Sequence, residues 1–304
     1  MRRILGVNIS HNCSFAYFED NILKEYYEED RFNKIKAFYP SHPFYSKPYD
    51  YQVLKKFKNI IFDEVLFVSY DRENILIEKA YIDNVLRQLQ YKETKFYFRE
   101  HHMFHVLCGF YFSNFEEAIG VTCDGGGERF ELSAATVESI YFVNKKEIKP
   151  YYKCATTRRG DYFKHEKDIE HYIRKDEIDW KLTTAEIGGL KFCNATAEAG
   201  FKQNEEGQLM GIAAYKDKNT NLDKRVLEIA HNAQEETLKE RIKLIEKAQD
   251  YSDCKNIILS GGYHLNCSNN FKLVKHFPKL NFFVDPIPYD GGTAVGAAYY
   301  YENY

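Results

Sequence analysis

This sequence lacks paired cysteines. Seven cysteines are scattered over 304 residues, and no two stand in a Cys-x-x-Cys arrangement. An odd, unpaired set argues against a disulfide framework and against a cysteine-based zinc ribbon. It is typical of proteins of the reducing cytosol, so we expect a cytoplasmic protein.

Long apolar runs are missing as well. No stretch reaches the roughly 18 apolar residues that a membrane-spanning helix needs, so we expect no membrane partner. The N-terminus carries Arg2 and Arg3 but reaches the polar Asn8 and Ser10 almost at once. This apolar stretch is too short for a signal peptide.

Proline is scarce, with 7 residues, whereas tyrosine and phenylalanine number 25 and 23. A hydrophobic content of 44% over this length is enough for a large core in one or two domains. The aromatic residues suit either core packing or the stacking of bases and sugars. A net charge of −3 neither requires nor excludes a nucleic-acid partner, because local patches matter more than the total.

The two halves of the sequence begin alike. Residues 6–9 (GVNI) open a strand that runs into a polar turn and a hairpin, and residues 120–123 (GVTC) do the same. Such a duplication predicts an α/β protein of two similar lobes, the duplicated actin-like, ribonuclease-H-like fold that binds a nucleotide in the cleft between its lobes. We place the lobes at residues 1–115 and 116–304, with a polar insertion around 153–181.

Hydrophobic periodicity predicts the individual elements. We expect helices at residues 75–89, 101–112, 185–198, 222–249, 265–276 and 291–300. We expect strands at residues 3–9, 14–19, 22–27, 64–69, 95–98, 117–123, 130–137, 140–143, 256–260 and 281–284.

A pair of histidines is the strongest local signal. His101 and His105 are four residues apart, so they share one face of the predicted helix. Two imidazoles at this spacing can bind one divalent metal ion. His102 stands where a zinc protease carries its glutamate, which disfavours a metalloprotease. The alternative is two buried histidines paired with backbone or carboxylates.

Two glycine-rich turns follow predicted strands. Asp124 precedes Gly125, Gly126 and Gly127, and glycines let the backbone N–H groups approach a phosphate. The carboxylate of Asp124 could hold a metal or orient a nucleophile. A second turn, residues 260–262 (SGG), precedes a helix whose N-terminus favours anions. Plain tight turns explain both sequences equally well.

Three further polar sites are weaker signals. Asp290 stands at a predicted helix start, where it could cap the helix or complete a site of two histidines and one carboxylate. His11 follows the first strand as a single histidine. The charged run 28–36 is typical of a solvated face.

Seven segments in order resemble the carbamoyltransferases of the nodulation and antibiotic-tailoring type, which are related to the universal tRNA threonylcarbamoyl transferase. The resemblance runs from residue 3 to about 300 and is carried by residues 6–11, 28–36, 101–105, 121–128, 207–213, 259–267 and 290–298.

The resemblance implies the actin-like fold and assigns roles to particular residues. The metal ligands would be His101, His105 and Asp290, with Asp124 as a further ligand. The metal would be Fe²⁺ in the first instance, with Zn²⁺ or Mn²⁺ as alternatives. Gly125, Gly126, Gly127, Ser260, Gly261, Gly262 and Asn266 would lie along the nucleotide. His11, Asp124, Arg31 and Lys34 would lie near the transferred group.

The implied reaction moves a carbamoyl group from carbamoyl-adenylate, made from ATP and carbamoyl phosphate, to an acceptor hydroxyl. The leaving AMP needs a cation and N–H donors, and the hydroxyl needs a base, for which His11 and Asp124 are both candidates. Family members are usually about twice as long, and their second domain forms the carbamoyl-adenylate. We expect no such domain in this chain, so either a separate protein supplies the intermediate or this chain uses its donor differently. Gln208 stands where the family often has lysine.

The acceptor is not encoded in these motifs. The family modifies small molecules such as sugars and aminoglycosides, and relatives resembling this compact form act on hydroxymethylated pyrimidines of phage DNA. Residues 151–165 interleave basic and aromatic side chains, which suits a nucleic-acid strand or an exposed insertion. Two other functions stay open: a small-molecule kinase of the same fold, and a non-catalytic nucleotide-binding subunit of a modification complex.

Overall fold

The computed structural model describes residues 1–39, 49–69, 75–97, 100–128, 134–157, 178–216 and 218–304. These residues form two mixed β-sheets and the helices that cover them. None of the helices in these ranges is both long and apolar enough to cross a membrane.

The first sheet is built around a strand that is buried along almost its whole length. Its strands are β1 (Arg3–Asn8), β2 (Ser14–Glu19), β3 (Ile22–Glu28), β4 (Ile61–Val68) and β5 (Gln90–Tyr97), in the spatial order β3-β2-β1-β4-β5. The hairpin between β2 and β3 turns on Asp20 and Asn21, both with positive φ, as a tight turn between twisted strands requires. Strand β1 is antiparallel to β2 and parallel to β4.

The second sheet repeats this order and adds one strand. Its strands are β6 (Glu117–Cys123), β7 (Ala134–Asn144), β8 (Ile148–Thr157), β9 (Asp179–Thr183), β10 (Asn256–Ser260) and β11 (Asn281–Val284), in the order β11-β10-β6-β7-β8-β9. Strands β8-β7-β6-β10-β11 match β3-β2-β1-β4-β5 of the first sheet. The duplicated actin-like fold is therefore confirmed, with β1 and β6 as equivalent central strands. The lobe boundary at residues 115 and 116 stays a prediction.

Two helices each pack on the sheet of the other lobe. The helices are α1 (Asp30–Asn33), α2 (Ile75–Leu86), α3 (His101–Ser113), α4 (Gly188–Glu198), α5 (Glu206–Ile212), α6 (Lys224–Tyr251), α7 (Cys267–His276) and α8 (Thr293–Asn303). Helix α3 follows the first sheet but packs on the second, and α8 follows the second sheet but packs on the first. The two helices touch closely because Gly296 leaves no side chain between its backbone and the Phe104 carbonyl. This contact brings the start of α3 beside the start of α8.

One sequence prediction in the second lobe is wrong, and another stays a prediction. The hairpin expected from 130–137 and 140–143 is a single strand, β7, which turns at Asn144 and pairs with β8. Glu138 and Ser139 mimic a turn in sequence, but both side chains are buried. The polar insertion expected at 153–181 stays a prediction: its two ends lie in the paired strands β8 and β9, and residues 158–177 lie outside the described ranges, as does Phe130.

Candidate functional site

Four side chains from three distant parts of the chain converge at the start of α3. His101 and His105 lie on one face of α3, Asp124 follows β6, and Asp290 lies just before α8. One potential ligand atom of each residue lies within 4.8 Å of the other three. All four side chains are buried, so the sequence-predicted metal ligands meet at one point.

The distances in this cluster suit a shared cation. The Nε2 atoms of His101 and His105 are 3.1 Å apart. Two nitrogens bound to one metal at about 2.1 Å lie about 3.0–3.4 Å apart in octahedral or tetrahedral geometry. His101 Nε2 lies 3.5 Å, and His105 Nε2 3.8 Å, from both Asp124 Oδ2 and Asp290 Oδ1. Asp290 Oδ1 is buried and accepts no hydrogen bond from the described residues. The donor set therefore fits a divalent metal ion.

The electrostatics of the cluster also favour a cation. Burial works to lower the pKa of His101, but the carboxylates of Asp290 and Asp124 raise it to about 10. Burial works to raise the pKa of Asp124, but His101 and His105 hold it well below its usual range. Two ionised carboxylates in an interior position need positive charge beside them.

Asp124 is fixed by backbone groups. Its Oδ1 accepts hydrogen bonds from Gly125 N at 2.8 Å and Gly262 N at 3.3 Å, which leaves Oδ2 to face the imidazoles. Gly261 has φ +91° and lies against the Cys123 backbone, and Gly189 lies against the backbone of Asp124. No side chain fits at either glycine, so the Gly261 turn and the Gly189 turn both pack directly against the backbone at Asp124.

The turn after β1 supports Asp290. Ser10 Oγ donates to Asp290 Oδ2 at 2.7 Å, and His11 Nε2 lies 3.2 Å from the same oxygen. Asn8 shapes this turn, since its side chain bonds the backbone of Ser10, His11 and Asn12. His11 is about one-third exposed, so it lies at the edge of the buried cluster. The Asp290 side chain faces this cluster and makes no capping hydrogen bond to α8.

Arg31 lies on α1 and Lys34 just after it, outside the buried cluster. Arg31 Nη2 is 3.4 Å from Glu28 Oε2, and Lys34 Nζ donates to the Arg31 carbonyl at 2.7 Å. Glu28 also accepts a hydrogen bond from the hydroxyl of Tyr289, the residue before Asp290. Arg31 is mostly exposed. Both basic residues are therefore linked to the centre through Glu28 rather than by direct contact.

The sequence-predicted nucleotide residues take two kinds of position. Gly125, Gly126 and Gly262 are partly exposed along the turns around Asp124, whereas Gly127 packs against the His102 ring. The Ser260 hydroxyl is buried, 2.9 Å from the His105 carbonyl and 2.7 Å from Asp285 Oδ2.

Asn266 is buried in an internal network. It exchanges hydrogen bonds with Gln234, and its Oδ1 caps α7 at Asn269 N. Its side chain is therefore committed to the packing of α6 against α7.

The basic and aromatic segment after residue 150 is mostly packed against other parts of the chain where it is described, with Tyr151 partly exposed. Tyr152 is buried, Tyr151 stacks on Tyr251, and Lys153 is paired with Glu128 at 3.4 Å. Arg158, Arg159, Tyr162, Lys164 and His165 lie outside the described ranges.

Several supporting residues carried no readable signal in the sequence. The turn of Gly188 and Gly189 at the start of α4 was hidden inside a predicted helix. Glu128 has the sequence of a turn residue, but it accepts a hydrogen bond from His102 N at 3.2 Å. This contact depends on the packing of α3 against the second sheet, which a local sequence pattern does not show.

Comparison with curated proteins gives relatives that are longer than this chain. The chain is 24% identical to an uncharacterized protein of Synechocystis and 27% identical to one of Methanocaldococcus jannaschii, covering 98% and 97% of this chain but 56% of each relative. It is 22% identical to the nodulation protein NolNO of Sinorhizobium fredii, over 83% of this chain and 38% of that protein. The chain thus spans about half the length of the first two relatives.

Solved structures share the fold at low sequence identity. Full-length HypF in its phosphate- and nucleotide-bound form matches 99% of this chain and 55% of its own, with a TM-score of 0.56 and 13% identity. A ROK family protein of Streptococcus pneumoniae matches with a TM-score of 0.51 and 10% identity, over 98% of this chain and 97% of its own. These likenesses show the actin-like fold alone.

The family model described as the carbamoyltransferase N-terminus matches residues 3–299, which is nearly the whole chain. The segments that carry the metal cluster and both glycine-rich turns lie inside this match. On this match, the chain belongs to the carbamoyltransferase N-terminus family.

Proposed function

We propose that this chain transfers a carbamoyl group from carbamoyl-adenylate to an acceptor hydroxyl at a divalent-metal centre. The observation that carries the proposal is the buried convergence of His101, His105, Asp124 and Asp290 beside two glycine turns. Membership of the carbamoyltransferase N-terminus family makes the carbamoyl group the expected transferred group.

The four converging residues would hold the metal ion. A set of two imidazoles and carboxylates suits Fe²⁺, and it also accommodates Zn²⁺ or Mn²⁺. When bound, the cation supplies positive charge that stabilises the phosphate of the departing AMP. The N–H groups of the turns around Asp124 would bind the same nucleotide, because backbone donors in such turns suit phosphate oxygens.

His11 is the better candidate for the general base. Asp124 has one oxygen held by backbone N–H groups and the other facing the imidazoles, so it has no oxygen left for a substrate. His11 is partly exposed, with Nε2 3.2 Å from Asp290 Oδ2 and Nδ1 2.8 Å from Asn12 Oδ1, so one of these contacts must open for a ring nitrogen to accept the proton. In this step the acceptor oxygen bonds to the carbamoyl carbon and its proton passes to His11. The bond from that carbon to the adenylate oxygen breaks, and AMP leaves.

The donor and the acceptor are finer parts of the proposal. ATP and carbamoyl phosphate would supply the carbamoyl-adenylate through a separate protein or a further domain. The acceptor would be a small-molecule hydroxyl or a hydroxymethylated pyrimidine in a nucleotide or DNA. For DNA, the partly exposed Tyr151 stack and the residues that follow Thr157 are the part of the chain to test.

The metal centre is tested by metal analysis of the purified chain after anaerobic loading with Fe²⁺, Mn²⁺ or Zn²⁺. We expect about one ion per chain for the wild type, and loss of that ion in His105→Ala. His276→Ala is the matched control, because His276 is exposed on α7, and it should bind the ion as the wild type does. Equal metal content in the wild type and His105→Ala would contradict the centre.

The transfer is tested with ATP, carbamoyl phosphate, the metal-loaded chain and a panel of acceptors, with and without a carbamoyl-adenylate-forming protein. Mass spectrometry should find AMP together with a carbamoylated acceptor. ADP with a phosphorylated acceptor would instead identify a kinase of this fold. Activity that appears only with the second protein would assign the activation step to that protein.

A further inference from the structure

Helix α3 presents the two histidines of the candidate centre from its first turns, yet its own sequence supplies no side-chain cap. Glu100, at the N-cap position, makes no capping hydrogen bond. The first N–H groups of a helix have no partner within the helix and need an acceptor from elsewhere. Here the His102 N–H donates to Glu128 Oε1 at 3.2 Å, so a residue of the second lobe caps the helix.

Glu128 belongs to the same chain segment as Asp124. The backbone between them is fixed to β7, because Gly127 N donates to the Thr136 carbonyl and Thr136 N donates to the Glu128 carbonyl. The Thr136 hydroxyl donates to Glu128 Oε2 as well. One carboxylate therefore connects the segment that carries Asp124 to the helix that carries His101.

Lys153 supplies the counter-charge for this buried carboxylate. Its Nζ lies 3.4 Å from Glu128 Oε1, and its side chain is mostly buried between the rings of Tyr141 and Trp180. A buried carboxylate without a counter-charge would take up a proton or leave the interior. Lys153 thus keeps Glu128 ionised and in place as an acceptor for the His102 N–H.

We propose that Glu128, held by Lys153, is a positioning residue that sets the distance between the histidines of α3 and Asp124. The inference rests on the proposed metal centre and adds a residue that is not a ligand. Groups that orient ligands typically change metal affinity by about 10- to 100-fold when they are removed. Because Glu128 acts through the helix backbone, we expect the effect of Glu128→Ala to lie near 10-fold.

The experiment uses Co²⁺ as a spectroscopic probe of the full chain. Titration of the metal-free wild type should give visible absorption bands of bound Co²⁺ and a dissociation constant. Glu128→Ala should weaken Co²⁺ binding about 10-fold and change the bands. Glu128→Gln should restore both, because its amide oxygen still accepts the His102 N–H. Leu273→Ala is the control, since it opens a cavity in the second-lobe core and should lower stability without changing the bands.

Hydrogen exchange gives a second measurement that does not need the metal. The amides of the first turn of α3 should exchange faster in Glu128→Ala than in the wild type, in Glu128→Gln or in Leu273→Ala. Wild-type Co²⁺ affinity and spectrum in Glu128→Ala, or unchanged exchange of these amides, would overturn the inference. If the wild type binds no Co²⁺ but the α3 amides still exchange faster in Glu128→Ala than in the wild type, the metal centre is overturned and the capping role of Glu128 remains.

Discussion

His11 Nε2 lies 3.2 Å from Asp290 Oδ2, so the turn after the first strand meets the start of the last helix. Asp290 has two distinct faces in this arrangement. Its Oδ1 faces the imidazoles of α3, while its Oδ2 accepts from Ser10 and contacts His11. The carboxylate therefore connects the candidate metal centre to the candidate base, and each can be removed separately.

Removal of His11 should separate catalysis from metal binding. His11→Ala should lower kcat about 10²- to 10⁴-fold, the usual contribution of a general base. Metal content at saturating metal should stay near the wild-type value, because the four converging ligand atoms do not include His11 and Ser10 still donates to Asp290 Oδ2. Steady-state kinetics and metal analysis of the same preparation provide the measurement. A kcat within a few-fold of the wild type would remove His11 from the reaction.

The Glu128–Lys153 pair should make stability depend on pH in a defined window. Burial works to raise the pKa of Glu128, but Lys153 and His102 lower it to about 2, against about 4.3 in an unfolded chain. A group whose pKa falls on folding contributes stability above its unfolded pKa and loses it as the pH drops towards its folded pKa. The contribution is on the order of 3 kcal/mol at neutral pH.

This contribution is measured by urea unfolding of the wild type and Glu128→Gln between pH 7 and pH 2.5. The wild type should be more stable at pH 7, and the difference in the free energy of unfolding should shrink below about pH 4.3. Groups distant from Glu128 titrate alike in both proteins and cancel in the difference, whereas His102, whose pKa Glu128 raises against burial, contributes to it. A difference that is constant over this range would show that Glu128 does not titrate as argued.

Local patterns were enough to predict the framework of the fold. The repeated strand, turn and hairpin at residues 6–9 and 120–123 indicated two similar lobes, and the two sheets share their strand order. The i, i+4 spacing of His101 and His105 placed both imidazoles on one helical face. These features depend on short stretches of sequence, in which hydrophobic period and turn residues are directly visible.

Long-range polar pairing could not be predicted in the same way. Glu138 and Ser139 have the composition of a turn, yet they lie inside one strand because Arg241 and His102 approach them from helices. Ser260 and Asn266 were assigned to the nucleotide by resemblance, whereas their side chains are occupied by His105, Asp285 and Gln234. Such partners are set by tertiary packing, which a single sequence does not show.

Substitutions at three glycines test the close backbone packing around Asp124. Gly261 has φ +91° and lies against the Cys123 backbone, Gly200 has φ +85° in open space, and Gly207 lies in α5 in open space. Gly261→Ala adds backbone strain and a backbone clash, together about 2–5 kcal/mol. Gly200→Ala adds only the strain, about 1–2 kcal/mol. Gly207→Ala should be neutral or stabilising by up to about 1 kcal/mol.

Thermal unfolding should therefore rank the three variants with Gly261→Ala as the least stable. Gly261→Ala should also weaken metal binding, because the neighbouring Gly262 N–H holds Asp124 Oδ1. Gly200→Ala should bind metal as the wild type does. Equal losses of stability at Gly261 and Gly200 would mean that the clash with Cys123 is relieved without cost.

The pair of Glu138 and Arg241 should behave as a buried ion pair. Removing one partner should lower the free energy of unfolding strongly, whereas replacing both partners should lower it little. Arg241 is buried on α6 beside the Tyr263 ring, and its Nη2 is paired with Glu138 Oε1. Arg241→Met leaves the Glu138 carboxylate buried without its counter-charge, which should cost about 3–5 kcal/mol. In the double variant Glu138→Gln with Arg241→Met, most of that loss should be recovered, because no buried charge remains.

A double-mutant cycle on the free energy of unfolding in urea measures this pair. Effects of the two single variants that simply add would contradict the coupling. A double variant close to the wild type would show that the ion pair adds little net stability. Because Asp124 N donates to the carbonyl of Val137, the residue before Glu138, metal affinity measured in the same double variant then separates fold stability from the shape of the centre.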